Sequence, residues 1–126
     1  MRLQISTRIL GDVTVVDCNG EIVYGEEAPL LRQKVKELLQ EGRHVVLNLS
    51  EVRAIDSNGV GALVSLMTSA RAPGGDLKLA ALGQRMKDVL KVTKLTALFA
   101  ICDTVEEAVE RFRLETTPIA VSELGR

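Results

Sequence analysis

The sequence predicts an α/β fold: a single domain on a mostly parallel mixed sheet, with an N-terminal hairpin and about four helices. Three observations carry that reading. Short apolar runs of strand length alternate with segments whose apolar residues recur every three or four positions, and strands alternating with helices need crossover connections. The run Val45-Val46-Leu47-Asn48-Leu49 is almost unbroken, as in parallel strands covered on both faces. Gly11-Asp12 separates two apolar segments by a turn too short for anything but an antiparallel pair.

Leu3, Ile5 and Ile9 alternate in part with Gln4, Ser6 and Arg8, which predicts a half-buried first strand. Val13 to Cys18 reads as its hairpin partner, ended by Asn19-Gly20. After a loop through Tyr24-Gly25, Pro29 suits the first turn of a helix. Leu31, Val35, Leu38 and Leu39 then share one helical face, with Lys34, Lys36 and Glu37 opposite, and Gly42 stops the helix. His44 to Leu49 is the next strand, followed by Val52 to Ile55, the turn Asp56-Ser57-Asn58-Gly59, and an apolar helix from about Val60 to Ala70. Pro73-Gly74-Gly75 breaks that helix, and Leu77 to Leu82 reads as a strand. Met86, Val89, Leu90 and Thr93 mark the inner side of a further helix, and Leu98 to Ile101 a short last strand. Thr104-Val105-Glu106-Glu107 has the form of a capping box, opening a final helix with Val105, Ala108, Val109 and Phe112 inward. The order is ββαβαβαβα. The domain is expected over 1–114, and from Glu115 the periodicity lapses, so 115–126 reads as a loose tail on which Ile119 and Val121 are the docking candidates.

Composition narrows the function. At 126 residues the chain has room for one apolar core, and 46% hydrophobic with 26% charged residues describes a globular chain. Aromatics are limited to Tyr24, Phe99 and Phe112, so Val, Leu, Ile and Ala pack the core. A formal net charge of -1 and so few stacking side chains argue against nucleic acid as a partner. Charged and polar residues interrupt Met1 to Leu10, so no secretory signal is read there, and no apolar run reaches the roughly 20 residues of a membrane span. Cys18 and Cys102 stand apart within apolar segments, without metal-ligand spacing, as expected of reduced, buried thiols in the cytoplasm. His44 lacks acidic or thiol neighbours and reads as structural or solvated; no metal or cofactor is expected.

The turn Ile55-Asp56-Ser57-Asn58-Gly59-Val60-Gly61 carries the chemistry, because ligands and partners meet open α/β sheets where strands end and helices begin. Asp56, Ser57 and Asn58 are each good N-cap residues, and a cap alone contributes about 1 kcal/mol. Gly59 and Gly61 ask for more, since each glycine costs roughly 0.8–1.0 kcal/mol against alanine inside a helix. Two in one turn imply close approach by neighbouring backbone or by a partner. A helix start also accepts phosphate well, through unpaired N–H groups and the dipole. On an interface the same phosphate adds about -1.5 to -2 charges beside Asp56 and repels a surface built for a neutral hydroxyl.

With these residues the chain resembles the STAS domain family, and within it the bacterial anti-sigma factor antagonists. Their signature is a strand ending in an apolar residue, then Asp-Ser-Ser/Thr-Gly-Leu-Gly and an apolar helix; here Ile55-Asp56-Ser57-Asn58-Gly59-Val60-Gly61-Ala62-Leu63 stands in its place. Cys18-Asn19-Gly20-Glu21-Ile22, Val45 to Leu49 and Val92-Thr93-Lys94-Leu95 match further parts, in order from about Leu3 to Phe112. The resemblance implies a STAS-like domain in which Ser57 is phosphorylated by a partner anti-sigma factor with serine kinase activity. Phosphorylation dissociates the pair, and a serine phosphatase resets it. It implies a partner surface of Gly20, Glu21, Val23, Asp56, Asn58, Gly59, Val60, Gly61 and Leu63, with Asp56 orienting the hydroxyl, the glycines permitting close docking, and Val60 and Leu63 in or beneath the contact. A homodimer is a secondary expectation.

Two residues depart from the family pattern. Asn58 replaces the second Ser/Thr, and Val23 stands where the Gly-x-Leu-Asp turn carries a carboxylate, which bears on partner choice and on phosphorylation. Val23 and Tyr24 then either meet a divergent partner or pack on the following helix. A STAS scaffold that never cycles through phosphate is the alternative. An enzyme using Ser57 as nucleophile needs a base in reach. His44 begins the preceding strand, and a strand of about six residues would hold it nearly 20 Å away. The glycines also lack the Lys-Ser/Thr of a phosphate-binding loop.

Overall fold

The computed structural model describes residues 3–23, 25, 27–41, 43–70, 76–92, 94 and 99–116. Its elements are β1 (Leu3–Leu10), β2 (Val13–Ile22), α1 (Glu27–Gln40), β3 (His44–Ile55), α2 (Ser57–Ala70), β4 (Asp76–Ala80), α3 (Gln84–Val92), β5 (Ala100–Cys102) and α4 (Val105–Thr116). The sheet order is β1-β2-β3-β4-β5. β1 and β2 pair antiparallel from Leu3↔Gly20 to Leu10↔Val13, and the remaining pairs are parallel. This is the expected α/β class, with a mixed sheet, an N-terminal hairpin and four helices among the described residues.

Two apolar layers sandwich the sheet. On one face Val16, Cys18, Leu47 and Leu79 meet Leu31, Val35 and Leu39 of α1, Leu63 and Leu66 of α2, and Met86 and Leu90 of α3. On the other, Val13, Val15, Val46 and Ala80 meet Val105, Ala108 and Phe112 of α4. Period-2 alternation thus sends neighbouring strand residues to different helices, so β3 reads as a continuous apolar run. β1 lies at the edge: Leu3 is buried, Ile5 half-buried, and Ile9 63% exposed, beyond the cover of α1.

Several boundaries move. β2 continues through Asn19-Gly20 to Ile22, and β3 runs unbroken from His44 to Ile55, because the two strands pair along their whole length. Register irregularities fall between Asp17 and Asn19 and between Gly20 and Glu21, where Gly20 takes φ +128°. Such bulges keep a ladder going where local sequence signals a stop. α1 starts at Glu27, two residues before Pro29, within the first turn whose N–H groups have no intrahelical partner. α2 starts at Ser57 rather than Val60. β4 ends at Ala80, where Ala81 turns left-handed (φ 60°) and donates its N–H to the Cys102 carbonyl at 3.1 Å. β5 reaches Cys102, and Val89 is half-buried.

The expected tail does not begin at Glu115. α4 stays helical through Thr116, and Glu115 Oε2 receives a 2.9 Å hydrogen bond from Lys78 Nζ, a tertiary anchor that helical periodicity does not register. The readings on Tyr24, Gly42, Pro73 to Gly75, Thr93, Leu95, Leu98 and 117–126 lie outside the described residues. The capping box at Thr104 forms in its first half: Thr104 Oγ1 accepts the Glu107 N–H at 3.0 Å, while the Glu107 carboxylate lies 3.6 Å from Arg111.

Candidate functional site at the start of α2

β2 and β3 end level with each other, Ile22 beside Ile55, and this shared end seats the next helix. The Asp56 N–H donates to the Ile22 carbonyl at 3.4 Å, extending the strand pairing by one residue. Asp56 Oδ1 then accepts the Gly59 N–H at 2.9 Å, and its carbonyl accepts the Val60 N–H at 2.9 Å. Of the three candidate caps, Asp56 is therefore the N-cap, in the geometry that satisfies a first-turn donor.

That assignment frees the hydroxyl. Ser57 is the first helical residue, its side chain is exposed, and it makes no hydrogen bond to a described residue. Asn58 is exposed beside it. No acidic side chain occupies the first turn of α2 itself, so the unpaired N–H groups there keep their preference for an anion. Asp56, half-buried and held as the cap, supplies the carboxylate next to the hydroxyl.

The two glycines have different reasons. A Cβ on Gly59 would collide with the Ile22 carbonyl oxygen and lie 2.8 Å from Ile55 Cγ1, so the backbone of α2 rests directly on the end of β2. Gly59 is buried and required by the fold. Gly61 is exposed, and a Cβ there would meet nothing within 4 Å; no neighbour in the fold demands a glycine.

The other expected surface residues divide by burial. Glu21 and Val23 are half-buried beside the turn. Gly20 and Val60 are buried, and Leu63 is wholly enclosed in the core. Leu63 thus supports α2 from below and offers no area to a partner: seven positions after the cap, it has turned onto the sheet-facing side.

His44 stands at the far pole, opposite Val13 and Asp76, with the whole of β3 in between, a span of roughly 35 Å. Its ring packs 4.9 Å from that of Phe112. Among the described residues no cluster of three His, Cys, Asp or Glu side chains is placed to hold a metal, and no helix is long and apolar enough to cross a membrane. Burial pushes the Cys18 thiol up to about 12 and raises that of Cys102, so both are protonated near neutral pH.

One feature escaped the sequence reading. Between the first turns of α1 and α2 lies a cavity of about 210 Å³, lined by Gly25, Ala28, Pro29, Arg32, Asn58 and Ala62. The i, i+4 spacing of Ala28 and Arg32 places them on one side of α1. That this side faces α2 depends on how the helices pack.

The profile of the STAS domain family matches residues 4–108. An anti-sigma-B factor antagonist of Bacillus subtilis is 33% identical over 96 residues, covering 75% of this chain and 86% of the relative. The crystal structure of a candidate anti-sigma factor antagonist from Thermotoga maritima superposes with a TM-score of 0.77 at 29% identity, over 86% of this chain and 94% of that one. The Bacillus protein SpoIIAA shares the fold in its phosphorylated form, with a TM-score of 0.65 at 22% identity over 87% of this chain and 98% of that one.

Proposed function

This chain belongs to the STAS domain family, and we propose that it is an anti-sigma factor antagonist: a cytoplasmic regulatory binding protein, not an enzyme, switched at Ser57. The observation that carries the reading is the exposed Ser57 hydroxyl at the first position of α2, which bonds to no described residue and stands beside a cap that Asp56 already supplies. A hydroxyl needed for capping would be lost to the fold on modification; this one is spare.

In the proposed cycle the unphosphorylated chain binds an anti-sigma factor with serine kinase activity. Ser57 Oγ attacks the γ-phosphorus of ATP held by that kinase, the bridging P–O bond breaks, ADP leaves, and the hydroxyl proton passes to a base on the kinase. The resulting dianion meets α2 favourably within the chain but repels a surface shaped for the neutral residue, so the partners separate. A serine phosphatase adds water across the ester and restores the hydroxyl with release of phosphate. Asp56, Asn58, Glu21, Val23 and Gly61 form the contact, with Gly20, Gly59, Val60 and Leu63 beneath it. The open space over Gly61 supports a partner backbone approaching there.

Incubation with the cognate kinase and ATP is expected to add one phosphate, on the peptide containing Ser57. Ser57→Asp is expected to lower kinase affinity at least tenfold, while Ser57→Ala binds and is not modified. Equal affinity of the two variants would refute the switch. Val23, which puts no carboxylate beside the turn, favours the non-cycling scaffold as second reading; partner binding with no phosphate transfer would decide for it.

A further inference from the structure

The cavity between α1 and α2 joins the proposed contact at Asn58, one residue after the phosphorylated position. Its walls are small where the helices press together: Ala28 is 6% exposed and Ala62 5%. Longer side chains at either position would fill the hollow. At its rim stands Arg32, exposed and without an ion pair or hydrogen bond to any described residue. Arg8, Arg43, Arg111 and Arg113 each pair with a carboxylate, whereas Arg53 and Arg85, like Arg32, pair with no described residue; what sets Arg32 apart is its place on the cavity beside Asn58. A volume of about 150 Å³ already holds a benzene-sized molecule, so about 210 Å³ admits a side chain.

We propose that this cavity receives an acidic side chain of the anti-sigma factor, with the Arg32 guanidinium gripping its carboxylate and the Asn58 amide completing the contact. The inference rests on the partner-switching reading above and adds the chemistry of recognition. A planar guanidinium takes a carboxylate through two parallel hydrogen bonds, which supplies register as well as attraction. Charge complementarity follows from what the surface offers: a cation with no partner among the described residues over a hollow of small residues, with Val23 in place of a carboxylate nearby. The proposal also explains the switch. A phosphate on Ser57 brings a dianion to the rim of the same cavity, where it repels the incoming carboxylate and competes with it for Arg32.

The test uses the full chain and its purified anti-sigma factor, with affinity read by titration calorimetry and folding checked by circular dichroism. Arg32→Glu is expected to weaken binding at least tenfold, and lysine substitution of one partner Asp or Glu to restore it. Lys34→Glu makes the same charge change two positions away on α1 and is expected to stay within twofold of wild type, excluding a general field effect. Ala62→Met, which fills the hollow without altering charge, is expected to weaken binding as well. If Arg32→Glu binds within twofold of wild type while Ser57→Asp does not, the cavity assignment falls and the switch stands. If neither variant alters affinity, both fall.

Discussion

A single Cβ separates the roles of the two glycines. Gly59→Ala forces α2 off the end of β2, since the obstacle is the Ile22 carbonyl, which cannot swing aside. The expected loss is about 3 kcal/mol or more, in the range of overpacked sites, read as a lower urea midpoint. Gly61→Ala meets nothing and gains helix propensity, so stability is expected to rise by about 0.5–1 kcal/mol while kinase affinity falls. Asp56→Ala removes the N-cap and is expected to cost about 1 kcal/mol, with Asp56→Asn largely sparing it. Asp17 sets part of the acid limit. Burial alone would raise its carboxyl, but hydrogen bonds from Arg8 Nε (2.8 Å) and Asn48 Nδ2 (2.7 Å), with the Arg8 charge, outweigh that and hold it below the ordinary range. A depressed folded-state value means stability present above about pH 4, the unfolded carboxyl range, and lost as pH falls through the folded value. Urea titrations at pH 7 and pH 3 are expected to show a smaller acid loss for Asp17→Asn than for wild type.

At the scale of elements, α4 is the instructive case. Among the described residues it alone covers the second face of the sheet, and its last turn is tied down by a buried lysine. Lys78 on β4 is 3% exposed, its Nζ lies 2.9 Å from Glu115 Oε2 and 4.5 Å from the centre of the Phe112 ring. A buried ammonium needs that carboxylate more than the half-exposed carboxylate needs it. Glu115→Gln is therefore expected to destabilise by about 1–3 kcal/mol, whereas Lys78→Met, which removes charge and need together, is expected to be near neutral or stabilising. Hydrogen exchange at the end of α4 would rise in the first variant and not in the second. The same scale explains the lengthened strands: β2 and β3 support each other through two irregularities, and neither shows this in its own alternation.

Across the whole molecule, the parallel sheet has two unlike poles. Its C-terminal pole gathers the ends of β2 and β3 and the start of α2, and there the hydroxyl, the cap and Arg32's cavity lie side by side. Its N-terminal pole holds His44 and the hairpin turn, far from Ser57. The switch proposed at Ser57 asks for a rigid scaffold, and α2 is pinned from below by Leu63 and Leu66 and at its start by Asp56. Modification is therefore expected to change the surface and leave the fold intact. Thermal melting of phosphorylated and unphosphorylated protein should agree within a few degrees while kinase affinity differs at least tenfold; a collapse in melting temperature would point instead to local unfolding.

The order of elements, the inward faces of the helices and the turn at Ser57 are legible in the chain because each rests on spacing within about ten residues: a period of two or of 3.6, a cap, a glycine. Other features depend on residues far apart in sequence. That Asp56 rather than Ser57 is the cap, that Gly59 answers to the Ile22 carbonyl and Gly61 to nothing within the fold, that Glu115 still belongs to α4, and that Arg32 faces a hollow beside Asn58 are contacts made only when strands and helices meet. Local pattern encodes which face of an element turns inward; the atoms found there are chosen by packing.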